Sequence, residues 1–123
     1  MATLSSTFTL NNPDGTDPIN ISISPSFNIT DPSGSGSYTT APAVLHQIIS
    51  AAETTDFYVF IRNIGMPDGY KHGRVTIKDG LNKDIASLRP NDFLFMPLKA
   101  AVGLQALYDD WPTTVQYFFW TRL

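Results

Sequence analysis

Along this chain the apolar residues fall in short runs that alternate with polar ones at a period of two, and turn-forming residues separate the runs. Phe57-Tyr58-Val59-Phe60-Ile61 is the densest run, of strand length and rich in aromatic and β-branched residues. Val75-Thr76-Ile77-Lys78 alternates and ends at Asp79-Gly80. Ile85 to Leu88 resumes the pattern, Pro90-Asn91-Asp92 breaks it, and Phe93 to Met96 runs on to Pro97. Gly103 to Tyr108 and Thr113 to Thr121 supply two more runs, with Asp109-Asp110-Trp111-Pro112 as the turn between them. Ala43 to Ala52 is ambiguous, because Val44, Leu45, Ile48 and Ile49 also fit a helical stripe; its neighbours are strands, and strand is the reading adopted. Short strands at regular spacing with turn chemistry between them predict an all-β fold. The expected form is an antiparallel β-sandwich, jelly-roll-like, of about eight strands.

Residues 1–42 differ from the rest. Ser, Thr, Asn, Asp, Gly and Pro dominate, with isolated apolar positions among them. Thr3 to Leu10 places Leu4, Phe8 and Leu10 on one parity, as in a strand with one apolar face. Ile19 to Ser24 alternates, Pro25 interrupts, and Phe27 to Thr30 alternates again. Asp31-Pro32-Ser33-Gly34-Ser35-Gly36-Ser37 reads by composition as a flexible linker. The chain therefore divides into 1–42, an extended N-terminal arm or a set of outer strands, and 43–123, the sandwich body. Pro13, Pro18, Pro25 and Pro32 keep the first part from forming a long aggregating edge.

At 123 residues the chain is expected to be one domain, and with no cysteine it has neither a disulfide framework nor a thiolate metal site. The net charge is -3, and its distribution matters more than its size. Residues 1–45 hold Asp14, Asp17 and Asp31 and no Lys or Arg, while all the basic residues lie later and are balanced by acidic ones. No basic stripe results, so direct nucleic-acid binding is not expected. The N-terminus has no basic segment followed by an apolar one, and no apolar run reaches the ~18–20 residues of a membrane span. A soluble protein made in the cytoplasm, with no membrane partner, is the expectation.

Candidate chemistry is sparse. His46 and His72 are the only histidines, and neither has a second histidine two or four residues away, as a cupin-type metal site requires. Asp109-Asp110 could be paired carboxylates, but adjacent residues in a turn diverge. Asp79 to Asp84 loosely resembles a calcium loop, with Lys83 and a missing terminal Glu against it, and reads as a hairpin connection. No G-x-S-x-G occurs, and the glycines from Gly65 to Gly73 form no phosphate-binding fingerprint. The expectation is no catalytic residue, no metal and no cofactor.

Several pieces of the body carry a resemblance. They are Val59-Phe60-Ile61-Arg62-Asn63, then Val75-Thr76-Ile77, then Leu88-Arg89-Pro90-Asn91-Asp92-Phe93-Leu94-Phe95-Met96-Pro97-Leu98, and last Val115-Gln116-Tyr117. In this order they resemble small β-sandwich virion proteins of tailed bacteriophages, over residues 43–123 and as a pattern rather than an invariant motif. A Gly is more usual where Asn91 stands, though Asn also tolerates a left-handed turn. The resemblance implies a structural role, in capsid decoration or cement or as part of a neck, tail or fibre, positions the pattern does not separate. It also implies a place in the virion and a homo-oligomer, with a trimer as the first expectation. The other partner it implies is a virion protein such as a major capsid protein.

The aromatics fit such a role. In the last strand Val115, Tyr117 and Phe119 share one parity, and Gln116, Phe118 and Trp120 the other, so both faces are partly apolar and cannot all serve one core. The expected partner-binding residues are Leu4, Phe8, Leu10, Ile21, Phe27, Phe118 and Trp120. The competing expectation is a carbohydrate-binding β-sandwich, with Tyr70 and Trp111 in a glycan groove.

Overall fold

A computed structural model of the chain describes residues 2–12, 19–39, 45–65, 73–108 and 113–123. Among them there are eleven strands and no helix, and every strand pairing is antiparallel. Three short strands come first: β1 (Ala2–Ser5), β2 (Phe8–Asn12) and β3 (Ile19–Ile23). The long β4 (Ser26–Thr39) follows, then β5 (Leu45–Ile49), β6 (Phe57–Gly65), β7 (Val75–Lys78) and β8 (Asp84–Leu88). The last are β9 (Phe93–Leu98), β10 (Leu104–Tyr108) and β11 (Thr114–Arg122). The ambiguous run around Ile48 is thus a strand.

One sheet has the order β1-β4-β11-β6-β9 and the other β5-β10-β7-β8, while β2 and β3 pair only with each other as a two-stranded ribbon. The pairing is nested along the chain. β7 lies beside β8, β6 beside β9, β5 beside β10, and β4 beside β11.

Period-two alternation decides which residues meet between the sheets. In β6 the odd positions Phe57, Val59 and Ile61 are buried and the even ones are not. They form one apolar cluster with Val115 of β11 and Leu98 of β9 from their own sheet. Ile48, Ile49, Val75, Ile77, Leu88, Leu104 and Ala106 complete it from the other sheet.

Asn63 closes one end of this core and is fully buried. Its Nδ2 donates to the carbonyls of Gly73 (2.9 Å) and Leu88 (3.0 Å). Its Oδ1 accepts from Gly65 N–H (3.0 Å) and the Thr113 hydroxyl (2.6 Å). The amide uses both donors and both acceptor positions, which is what makes a buried Asn tolerable. Nearby, Asn91 sits at φ 75° in the Arg89–Asp92 turn, the left-handed geometry that Asn accepts where Gly is usual.

Two N-terminal expectations are corrected. Residues 31–37 are not a linker but the middle of β4, paired with β11 from Trp120↔Ser33 to Gln116↔Ser37. The glycines are there for the partner strand: a Cβ on Gly34 would lie 2.5 Å from Cζ of Phe119, and one on Gly36 would run into the Tyr117 ring. The rings of β11 lie across a strand that leaves them room. Thr3 to Leu10 is also not one strand. It breaks at Ser6, whose N–H and hydroxyl both donate to the Pro25 carbonyl (3.2 and 3.0 Å). Pro25 breaks the β3–β4 run at the same level, so the chain leaves the sheet to form the ribbon and rejoins it there.

Candidate interaction surface

The large sheet has a second apolar face. Even positions of β6 and β11 and odd positions of β9 point away from the core, and they carry rings: Tyr58, Phe60, Phe118, Trp120, Phe93 and Phe95. Register sets Phe60 between Phe118 and Phe95, and Tyr58 between Trp120 and Pro97. The rings then meet in series. Trp120 stacks on Phe118 (6.2 Å between centroids, 9° between planes), Phe118 meets Phe60 (6.2 Å), and Phe60 stacks on Phe93 (6.0 Å). Phe93 takes the edge of Phe8 of the ribbon at 6.4 Å. A second group closes beside it: Phe27 of β4 lies 4.6 Å from Tyr58 and 5.5 Å from Phe95, and Arg122 caps the Tyr58 ring at 5.1 Å.

The ribbon has two unlike faces. The pairs Phe8↔Ile23 and Leu10↔Ile21 fall on one side, and Thr9↔Ser22 and Asn11↔Asn20 on the other. All four apolar side chains are substantially exposed, Phe8 by 37%, Leu10 and Ile21 by 46% and Ile23 by 50%. Between the ribbon and the aromatic face lies an open cleft of about 880 Å³. Phe8, Ile23 and Pro25 wall it on one side and Phe60, Phe93 and Phe95 on the other, with Arg62 and Asn91 among its polar lining.

The residues expected from sequence to bind partners fall in three places. Leu4 and Phe27 are register partners at the β1–β4 side of the aromatic face. Phe118 and Trp120 stack on each other towards its middle, and Phe8, Leu10 and Ile21 share the apolar side of the ribbon. Phe8 of the ribbon is tied to the face through Phe93. Sequence reasoning missed Tyr58, Phe60, Phe93, Phe95 and Ile23 as surface residues. Their signal was parity, since Tyr58 and Phe60 alternate with the core residues Phe57, Val59 and Ile61.

The Asp79–Asp84 stretch is a turn rather than an ion loop, and other carboxylates among the described residues serve turns too. Asp79 Oδ1 accepts from the N–H groups of Leu81 and Lys83 (2.9 Å each), and Asn82 within that loop sits at φ 64°. Asp92 Oδ2 accepts from Arg89 N–H at 2.9 Å and Asp56 Oδ1 from Ala100 N–H at 2.8 Å. Lys78 and Asp84 form an ion pair at 2.6 Å across the base of the β7–β8 hairpin. His46 lies 6.1 Å from the Tyr117 ring. Among the described residues no three His, Asp or Glu side chains are placed to share a metal ion. His72, Tyr70, Asp109, Asp110 and Trp111 lie outside the described residues.

No family model matches the chain, and no curated protein or solved structure matches it either.

Proposed function

We propose that this protein is a non-enzymatic structural part of a phage particle, a capsid decoration or cement protein that assembles with copies of itself and binds a major capsid protein. The observation that carries the reading is the pair of apolar surfaces, the ring-covered outer face and the ribbon, on a chain whose core is already complete without them. Apolar area of this extent on one side of a domain serves association. A β-sandwich of jelly-roll topology goes with that role, and the nested order of β4 to β11 in two sheets supports it. Asp56, Asp79 and Asp92 each cap a turn, which supports an architectural use of the carboxylates rather than acid–base work. The trimer and the virion location rest on the sequence resemblance.

A carbohydrate-binding module is the second reading, and one observation favours it. Trp120 and Phe118 stack in nearly parallel planes, and Ser33 and Ser35 stand opposite them on β4, so that aromatic rings have hydroxyls at their side. Light scattering on the full chain together with a glycan array separates the two. The structural reading expects a multi-chain mass and no glycan signal. A monomer that binds a glycan, and loses it in Trp120→Ala, overturns that reading.

A further inference from the structure

Each chain carries both a knob and a hole. The knob is the outer half of the ribbon, where Leu10 and Ile21 lie side by side, each close to half exposed. The hole is the cleft at the base of the same ribbon, walled by Phe8, Ile23, Phe60, Phe93 and Phe95. We propose that Leu10 and Ile21 of one copy seat in the cleft of a second copy, and that these head-to-tail contacts close a small ring of identical chains. The inference rests on the reading of the chain as a self-assembling structural part and names the surface that does it.

Three observations favour a second copy as the occupant. The ribbon pairs with no other strand, and a lone two-stranded hairpin is marginal in water, so every copy has a knob to cover and a hole to fill. One ring of copies satisfies both needs at once; a different partner would have to supply both shapes. Charge points the same way. Copies with net charge -3 repel one another on average, yet residues 2–12 and 19–30 carry no charged side chain. Asp14 and Asp17, between them in sequence, are opposite in sign to Arg62, the one charged residue lining the cleft. Two copies can meet here without bringing like charges together. Area sets the strength. Half-exposed side chains of this size each have on the order of 80–100 Å² left to bury, so Phe8, Leu10, Ile21, Ile23 and Phe93 give about 400 Å² per contact. That is about a third of the ~1,200 Å² at the lower end of specific interfaces, so a single contact is weak and the ring holds because each chain makes two. A heterologous contact closes into a ring where the rotation allows it, which agrees with a trimer.

The absence of native cysteine makes the test clean. Leu10→Cys and Arg62→Cys chains, made separately, are mixed and mildly oxidised. The expected result is a disulfide between the two kinds of chain and none within either kind alone. In parallel, Leu10→Glu is expected to drop the scattering mass to that of one chain with an unchanged far-UV spectrum. Leu10→Cys linking to itself, no cross-link in the mixture, or a Leu10→Glu chain that keeps the wild-type mass each overturns the seat. A stable oligomer indifferent to Leu10→Glu overturns the seat alone and leaves the structural reading standing. A monomer that also binds a glycan through Trp120 overturns both.

Discussion

At the scale of single residues, side chains that look alike in the sequence do opposite jobs. Asn63 looks like one more polar residue at a strand end, yet it holds Gly73, Leu88, Gly65 and Thr113 together inside the core. Asn63→Ala removes the amide from all four of those contacts, at about 1–3 kcal/mol for each group left unsatisfied and less than additively. A loss of about 3–5 kcal/mol is expected, a large share of the ~5–15 kcal/mol by which domains are stable. Urea unfolding reads it as a lower midpoint at constant slope, and a loss under ~1 kcal/mol would show that the network is not what holds this end. Gly34 works by absence. Its missing Cβ makes room for the Phe119 ring, so Gly34→Ala is expected to cost about 1–3 kcal/mol by overpacking. The cause is checked by a double-mutant cycle: in a Phe119→Leu background the same change should cost clearly less.

At the scale of elements, β4 decides what can be removed. It pairs with β11 along nearly its whole length and with β1 on its other side. A chain beginning at Ala43 loses it, exposing the long edge of β11 and the core-facing Tyr117 and Phe119. Such a chain is expected to aggregate or stay unfolded by circular dichroism and gel filtration. A chain beginning at Pro25 keeps β4 and loses only β1 and the ribbon, and it is expected to fold. Equal folding of both would mean that β4 is dispensable to the body. The same strand marks where sequence reading stopped. Strands such as Phe57–Ile61 and Val75–Lys78 were legible because their alternation is local. Residues 31–37 were not, because a Gly–Ser run becomes strand only when Tyr117 and Phe119 of a strand some eighty positions away lie across it. Surface aromatics were half legible. The two parities of β11 announced a second apolar face, but which rings share it with Phe118 depends on register, and register belongs to the fold rather than to any one run.

At the scale of the whole molecule, charge and apolar surface are kept apart. All the Lys and Arg residues lie beyond residue 45, among acidic residues that balance them. The ribbon, β1 and the first residues of β4 are uncharged and carry Leu4, Phe8, Leu10, Ile21 and Phe27. This separation predicts how assembly responds to salt. A contact held by ion pairs weakens as the Debye length falls from ~10 Å at about 0.1 M to ~3 Å at about 1 M salt. A contact made by Leu10 and Ile21 against aromatic rings is apolar apart from Arg62 in the cleft lining, and excluded salts such as sulfate strengthen apolar burial. With net charge -3 on every copy, screening also removes the general repulsion between chains. The scattering mass should therefore hold or rise between about 0.1 M and about 1 M sodium chloride, and rise further in sulfate at equal ionic strength. Dissociation over that range would instead show that ion pairs hold the contact, whether through Arg62 in the cleft or on the charged body where Lys78, Asp84, Arg89 and Asp92 lie, and would overturn the apolar seat.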